Sequence, residues 1–369
     1  MLPPLWQRHL SIKAVMDEKK YPVETEKKHV RRKRYAGTHP KRYEEKYKEL
    51  NPEKYQETVK KVMEKGSTPA GMHRSICVDE ILTFLDIQPG QVGLDATLGY
   101  GGHTKEMAAK LQGKGHLFAL DVDPIELPKT KARLEKLGFG EEVLTILNRN
   151  FRDLDEVGKI SGPLDFVLAD LGVSSMQIDN PERGFSFKVD GPLDLRLDPK
   201  KGVSGTVRLK SLTEEELYGM FVENADEPYA EVIAKAVIDT YKRGEDIDTT
   251  TKFKEVIEEA LAFLPEKTRD KDIKKSCQRC FQALRIDVNS EFEVLYEFLE
   301  KLPQVMKEGG RIAILTFHSG EDRLVKKAFK QFLREGLLQE VARTPIRPSE
   351  EEIRSNGRAR SAKLRWAVR

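Results

Sequence analysis

From about residue 91 onward, short β-branched or leucine-rich runs alternate with helical stretches, a rhythm that restricts the chain to a parallel sheet flanked by helices. Four such runs come early, at 91–97, 116–121, 143–147 and 164–170, and helices fill the gaps. One of these helices begins at Asp123-Pro124, where the carboxylate can cap free amides and proline suits the first turn. Between about Ile178 and Leu284 the rhythm stops. Segments rich in Lys and Glu, at 213–224, 229–242 and 252–264, follow one another without strands, as expected of an inserted helical domain. The α/β pattern then returns. Ser290-Glu-Phe-Glu293 reads as a capping box ahead of Phe292, Leu295, Leu299 and Leu302 at helical spacing, and a fifth strand follows at 311–316. The predicted organisation is an N-terminal extension (1–69), an α/β core in two parts (70–177 and 285–369) and an inserted, all-helical domain (178–284). The fold class is α/β, with a doubly wound, Rossmann-like sheet.

Composition narrows the function classes. At 369 residues the chain has ample length for a core and suits two or so domains. No stretch approaches the roughly 20 apolar residues of a membrane-spanning helix, and no apolar run near the start could act as a signal peptide. Acids at Asp17, Glu18, Glu24 and Glu26 argue against a transit peptide, so a cytoplasmic location is expected. Three cysteines, Cys77, Cys277 and Cys280, cannot form a disulfide framework and suit a reducing compartment. The net charge of +3 is uneven: residues 1–69 hold 18 Lys+Arg against 10 Asp+Glu, or +8, which leaves 46 against 51, or −5, for the rest. That segment also carries Trp6, the cluster Arg31-Arg-Lys-Arg34 and five of the ten tyrosines, a mixture suited to a phosphate backbone with exposed bases. A solvated arm that serves solubility is the alternative. A second basic stretch closes the chain, with eight Arg/Lys against three Glu after Val341.

The first strand ends in Asp95-Ala-Thr-Leu-Gly99-Tyr-Gly101-Gly102-His103, and glycines at a strand-to-helix turn let backbone approach a ligand while the helix start offers free amides. The spacing is neither the dinucleotide fingerprint G-x-G-x-x-G nor a P-loop, which disfavours NAD and ATP. Asp121 closes the second strand 19 residues beyond Gly102, about where a carboxylate accepts hydrogen bonds from ribose hydroxyls. Phe151 follows the third strand and could cover an adenine or simply pack in the core. Asp170-Leu-Gly-Val-Ser-Ser-Met-Gln177 follows the fourth, where an open α/β sheet places its ligand, and the aperiodic stretch 180–198, with Arg183 and Phe185, suggests an ordered functional loop. Asn289 or Ser290 can serve as a helix cap, and His318 could move a proton, contact a phosphate or merely start a helix. Cys277-x-x-Cys280 lacks both the four ligands of a structural zinc and a thioredoxin-like setting, and the histidines show no metal spacing, so no metal is predicted.

Taken with His73-Arg-Ser-Ile-Cys-Val-Asp-Glu80, Glu182-Arg-Gly-Phe-Ser-Phe187, Asp190-Gly-Pro-Leu-Asp194, Phe281-Gln-Ala-Leu-Arg-Ile286, Phe317-His-Ser319, Glu321-Asp-Arg323 and Arg358-Ala-Arg-Ser361, these motifs make about 300 residues resemble the RsmH/MraW family of bacterial small-subunit rRNA methyltransferases. The resemblance implies a class I methyltransferase fold and transfer of a methyl group from S-adenosylmethionine to the N4 amine of a decoding-region cytidine. It places cofactor contacts on Gly101, Gly102, His103, Asp121, Phe151, Asp170 and Gln177. Asp170 is expected to orient the amine, and Arg183, Phe185, Asn289, His318, Arg358 and Arg360 to contact substrate. Arg365, with Arg358, Arg360, the insertion and the basic arm, is expected to grip rRNA. The expected partner is 16S rRNA within the small ribosomal subunit, with a homodimer left open. The sequence departs from the family pattern at Gly320, where Leu is usual, and at Arg74-Ser-Ile-Cys77, where a Pro-Val type pairing is common. Rival readings are an NAD-dependent oxidoreductase, a non-catalytic ribosome-binding factor, and a methyltransferase of the same fold acting on another RNA or DNA amino group. The usual DNA amino-methyltransferase motif, (D/N/S)-P-P-(Y/F), is replaced here by Asp170-Leu-Gly-Val.

Overall fold

The computed structural model describes residues 75–369; the basic segment 1–69 and the role expected of it lie outside the described residues. Strands β1 (Val92–Asp95), β2 (His116–Asp121), β3 (Leu144–Asn148), β4 (Leu164–Asp170), β5 (Met306–Thr316), β6 (Glu340–Val341) and β7 (Lys363–Val368) form one sheet. Their order is β3-β2-β1-β4-β5-β7-β6. The first five are parallel, whereas β7 runs antiparallel to β5 and β6 antiparallel to β7. The chain therefore winds outward from β1 through β2 to β3, returns to lay β4 on the other side of β1, and continues to β5. Where the winding reverses, between β1 and β4, the connecting loops diverge and open a crevice at the carboxyl ends of the strands.

The helices are α1 (Val78–Leu85), α2 (Gly102–Lys110), α3 (Leu127–Lys136), α4 (Leu154–Ser161), α5 (Ser175–Asp179), α6 (Gly205–Ser211), α7 (Glu214–Ala225), α8 (Ala230–Lys242), α9 (Thr250–Ala260), α10 (Glu266–Asn289), α11 (Glu291–Val305), α12 (Ser319–Arg334) and α13 (Glu350–Ser355). Successive strand residues point to opposite faces, so the sheet has two apolar layers. Leu94, Leu120, Val167 and Ile314 pack with Phe298 and Leu302 of α11 and Phe329 of α12. Leu117, Phe166, Leu168 and Leu315 pack with Ile81 of α1 and Met107 of α2. Each fully buried side chain of this size stabilises the fold by about 1.5–3 kcal/mol.

Helices α6 to α10 surround a third cluster built on Phe221, Ile233, Val237, Phe253 and Phe281. Cys277 and Cys280 belong to it, and burial pushes the Cys277 thiol up to about 12, so both are packing residues. Helix α10 runs on to Asn289, five residues past the predicted boundary at 284. The capping box predicted at Ser290 is not formed. Ser290 takes the left-handed conformation (φ 50°), its amide closes α10 by donating to the Asp287 and Ile286 carbonyls, and its hydroxyl caps nothing. A side-chain N-cap needs extended backbone at that position, which a residue shared by two consecutive helices does not have. The basic C-terminal stretch also departs from expectation: residues 363–368 form strand β7, and Arg365 is buried with its Nε donating to Asp322 at 2.6 Å. Arg365 is thus an internal cation of the sheet rather than a surface grip for rRNA.

Candidate active site

The ends of β1 and β4 are joined where the crevice opens, because the Asp170 amide donates to Thr97 Oγ1 at 2.6 Å. Beyond β1 the chain turns through Gly99 and Gly101, both with positive φ (49° and 76°), into α2. Glycine adopts these left-handed angles at no steric cost. A Cβ on Gly102 would collide with Ser75 Oγ, so the turn packs closely while α2 presents its first amides toward the crevice. The turn is braced from the next strand, since the Gly99 amide donates to Asp121 Oδ2 at 2.8 Å and Thr130 Oγ1 donates to the Gly99 carbonyl at 2.8 Å.

These elements wall a cavity of about 450 Å³. Of the residues expected at a site, it gathers Gly101, Gly102, His103, Asp121, Phe151, Asp170, Gln177, Asn289, His318 and Arg358. Arg183, Phe185 and Arg360 are not in its lining. The Arg183 guanidinium is buried, donating to Asp123 Oδ2 at 2.8 Å and to the carbonyls of Arg196 and Leu197 at 3.0 and 2.9 Å. Phe185 packs on the helical cluster, with the Arg183 cation 5.7 Å from its ring centroid. Arg360 is exposed. Asp123 accepts from the Ile125 and Glu126 amides in the turn after β2, but the helix expected to begin there starts only at Leu127, with Glu126 at its N-cap position; Asp123 also receives the Gln177 side-chain amide at 2.7 Å. Gln177 is further committed, accepting from the Ser174 amide in a capping box, so it acts on the cavity by shaping α5.

The titratable groups are unusually buried. His103 Nε2 lies 3.0 Å from the Ile76 carbonyl, which can only accept, and Nδ1 lies 3.4 Å from Asp170 Oδ2. Burial alone would lower the histidine's pKa, but the Asp170 carboxylate outweighs it and the net shift is upward, favouring an imidazolium. Asp95 accepts from Thr104 at 2.6 Å and is shifted upward, chiefly by burial. Asp170 Oδ1 is buried without a hydrogen-bond partner among the described residues, an acceptor facing the cavity and ready for a donor from outside the chain. Phe151 meets Phe298 edge-on at 5.1 Å and offers its remaining surface to the same space. The sequence did not single out the Arg285–Glu291 ion pair, also in the lining, whose bidentate bonds of 2.8 and 2.9 Å span the break between α10 and α11. Its signal was present in the segment 285–291, but the two residues meet only because the chain bends at Ser290.

Asp121 gives the site a pH dependence. Burial, reinforced by Asp123, raises its pKa to about 6, against the lowering effect of the amides it accepts. A bound ribose diol donates to the ionised form, so affinity for an adenosyl ligand should be level above pH 7 and fall on acidification through about 6, approaching tenfold per pH unit. Calorimetric titration across pH 5–8 checks this, and Asp121→Asn should weaken binding and flatten the profile.

Residues 70–369 match the model of the MraW methylase family. The chain is 66% identical over 344 residues to "Ribosomal RNA small subunit methyltransferase H 2" of Alkaliphilus metalliredigens, covering 93% of this chain and 99% of that protein. It is 63% identical over 341 residues to "Ribosomal RNA small subunit methyltransferase H 1" of Lachnoclostridium phytofermentans, covering 92% and 93%. Alignments of this length exceed the 300 residues of 70–369, so they take in part of the basic segment. Among solved structures, an rRNA methylase from Streptococcus thermophilus aligns with TM-score 0.36 and 14% identity, over 79% of this chain and 93% of that one.

Proposed function

Because this chain belongs to the MraW methylase family, over residues 70–369, we propose that it transfers a methyl group from S-adenosylmethionine to the N4 amine of a cytidine in the decoding region of 16S rRNA, in the cytoplasm. The observation that carries this reading is the unpartnered Asp170 Oδ1, a buried acceptor at the switch point of the sheet. Among the described residues no helix is long and apolar enough to cross a membrane.

The residues present fit the cofactor. The Gly101-Gly102 turn gives backbone access, Asp121 suits a ribose diol, Phe151 offers a ring beside the adenine, and the acidic end of the crevice suits an amino acid and sulfonium. S-adenosylmethionine supplies a methyl group made electrophilic by the adjacent positive sulfur. The chain supplies position and electrostatics. Cytosine N4 is a weak nucleophile because its lone pair is delocalised into the ring. An N–H donated to Asp170 Oδ1 fixes the amine's orientation and favours the charge that develops on nitrogen. The His103 ring, 3.4 Å away, faces the other oxygen of Asp170, and Gln177 and Asp123 keep α5 in place behind it. The target base must be unpaired or flipped to enter. Labelled methyl transfer from S-adenosylmethionine to small subunits lacking the modification tests the reading, and absence of label from the rRNA rejects it.

The basic ends are assigned to the rRNA. Arg358 has one guanidinium nitrogen 3.2 Å from Asp179 and the other buried without a partner among the described residues, while Arg360 projects into solvent nearby. The helical segment around α6–α10 is assigned to substrate recognition, and residues 1–69 to the phosphate backbone. Deleting 1–69 should weaken rRNA binding and flatten the plot of log affinity against log salt, by about 0.7 for each single-strand phosphate that is no longer neutralised. Filter binding across a salt series reads this, and an unchanged slope removes the arm from the interface.

A further inference from the structure

We infer that His318 accepts the proton released by the target amine, with Glu321 holding the imidazole in the tautomer that leaves Nδ1 free. The inference rests on cytidine N4 methylation being the reaction. His318 is the residue immediately before α12, in the loop that leaves the carboxyl end of β5, and it lines the same cavity as Asp170. Its Nε2 lies 3.1 Å from Glu321 Oε1, and a carboxylate there favours the proton on Nε2. Neither ring nitrogen completes a hydrogen bond among the described residues: Nε2 stands at ion-pair distance from Glu321, and Nδ1, at the capping position of α12, is buried without a partner. Glu321 is almost wholly buried, and its other oxygen accepts from the Phe317 amide at 2.9 Å. Burial would raise the Glu321 pKa, but His318 and the Phe317 amide more than offset this and hold it lowered, so the carboxylate is ionised. A carboxylate behind an imidazole whose far nitrogen is empty is the arrangement that makes histidine a general base.

Two further features fix the ring. Phe292 packs tilted against it, with centroids 5.8 Å apart. Gly320 makes that possible: a Cβ there would strike the Phe292 ring and come within 3.2 Å of His318 Nδ1. The departure from leucine at position 320 is thus matched by an aromatic ring occupying the space. The donor atoms of Glu291, His318 and Glu321 also lie within 4.8 Å of one another, but both Glu291 oxygens are taken by the Arg285 guanidinium, whose charge opposes a metal ion. The group is therefore read as a proton site.

The N4 lone pair forms the bond to the methyl carbon, the pair of the broken C–S bond stays on sulfur, and the nitrogen becomes cationic. One N–H proton passes to His318 Nδ1, and the imidazolium returns it to solvent. Asp170 and His318 thus take the two amine hydrogens, one as an orienting acceptor and one as the base.

The test is single-turnover methyl transfer to small subunits by the wild type, His318→Ala, His318→Gln and Glu321→Gln, with cofactor and rRNA affinities measured separately. His318→Ala should lower the rate by about 10²–10⁴-fold with both affinities unchanged. Added imidazole should restore part of it, His318→Gln should not, and Glu321→Gln should slow the reaction in the same direction. An unchanged His318→Ala rate overturns the proposal. So does a loss confined to rRNA affinity, which would make His318 an RNA contact, or a joint loss of rate and cofactor affinity without rescue, which would make it structural. If the wild type forms no N4-methylcytidine, the functional reading fails and takes this one with it; N4-methylcytidine from both wild type and His318→Ala at equal rates sinks the base alone.

Discussion

Asp170→Asn should lower the single-turnover rate of methyl transfer by about 10²–10³-fold, a loss of roughly 2.7–4 kcal/mol of transition-state stabilisation. The substitution conserves shape but removes the negative charge toward which the amine's developing cation would turn. Folding should survive, because the Asp170 backbone amide, which binds Thr97 and fixes the strand end, is untouched. His103 would then face a neutral amide across its 3.4 Å contact and lose the group that raises its pKa. Cofactor affinity must be measured beside the rate, since Asp170 lines the cavity and its carboxylate could serve either ligand. A large fall in rate with cofactor binding retained places it with the amine. A fall in cofactor affinity with the saturated rate retained places it with the cofactor, and normal values of both remove it from the mechanism.

Asp123→Ala should destabilise the protein by about 3–5 kcal/mol, because it leaves the buried Arg183 guanidinium without its counter-charge. Both side chains are nearly inaccessible, at 0% and 6% exposure, which is what separates this pair from the surface ion pairs of the molecule. Asp123 also ends two backbone amides and the Gln177 side chain, so its loss frees the loop 180–198 and α5 together. Urea unfolding reads the change as a lower midpoint at unchanged slope. Asp123→Asn, which retains an acceptor, should cost less. Equal stability of the alanine variant and the wild type would mean that Arg183 finds other acceptors, and the clamp would lose its importance.

Much of the catalytic edge was legible because its signals are local. A strand end, a turn that demands positive φ, and a carboxylate at the next strand end all fall within 30 residues, and each motif sits on the element predicted for it. The contributions of Arg183 and Arg365 were not legible. Both look like cations available to a phosphate backbone, yet each is neutralised inside the fold by a carboxylate from a distant segment, Asp123 60 residues away and Asp322 43 residues away. Strand β7 was hidden for the same reason, since Lys363 and Arg365 read as a basic tail until Asp322 on α12 is brought against them. At Ser290 the residue pattern for a capping box was complete, and the deciding variable was a backbone angle imposed by helices on both sides. The Arg285–Glu291 pair depends on that same bend.

The central claim, that this site methylates the exocyclic nitrogen of a cytidine in small-subunit rRNA, is tested most directly by nucleoside mass spectrometry. Small subunits from a strain lacking the modification are incubated with the protein and isotopically labelled S-adenosylmethionine, and the rRNA is digested to nucleosides. The account predicts labelled N4-methylcytidine, lost with Asp170→Asn. Label on cytosine C5, on a ribose 2′-hydroxyl or on another base would contradict it.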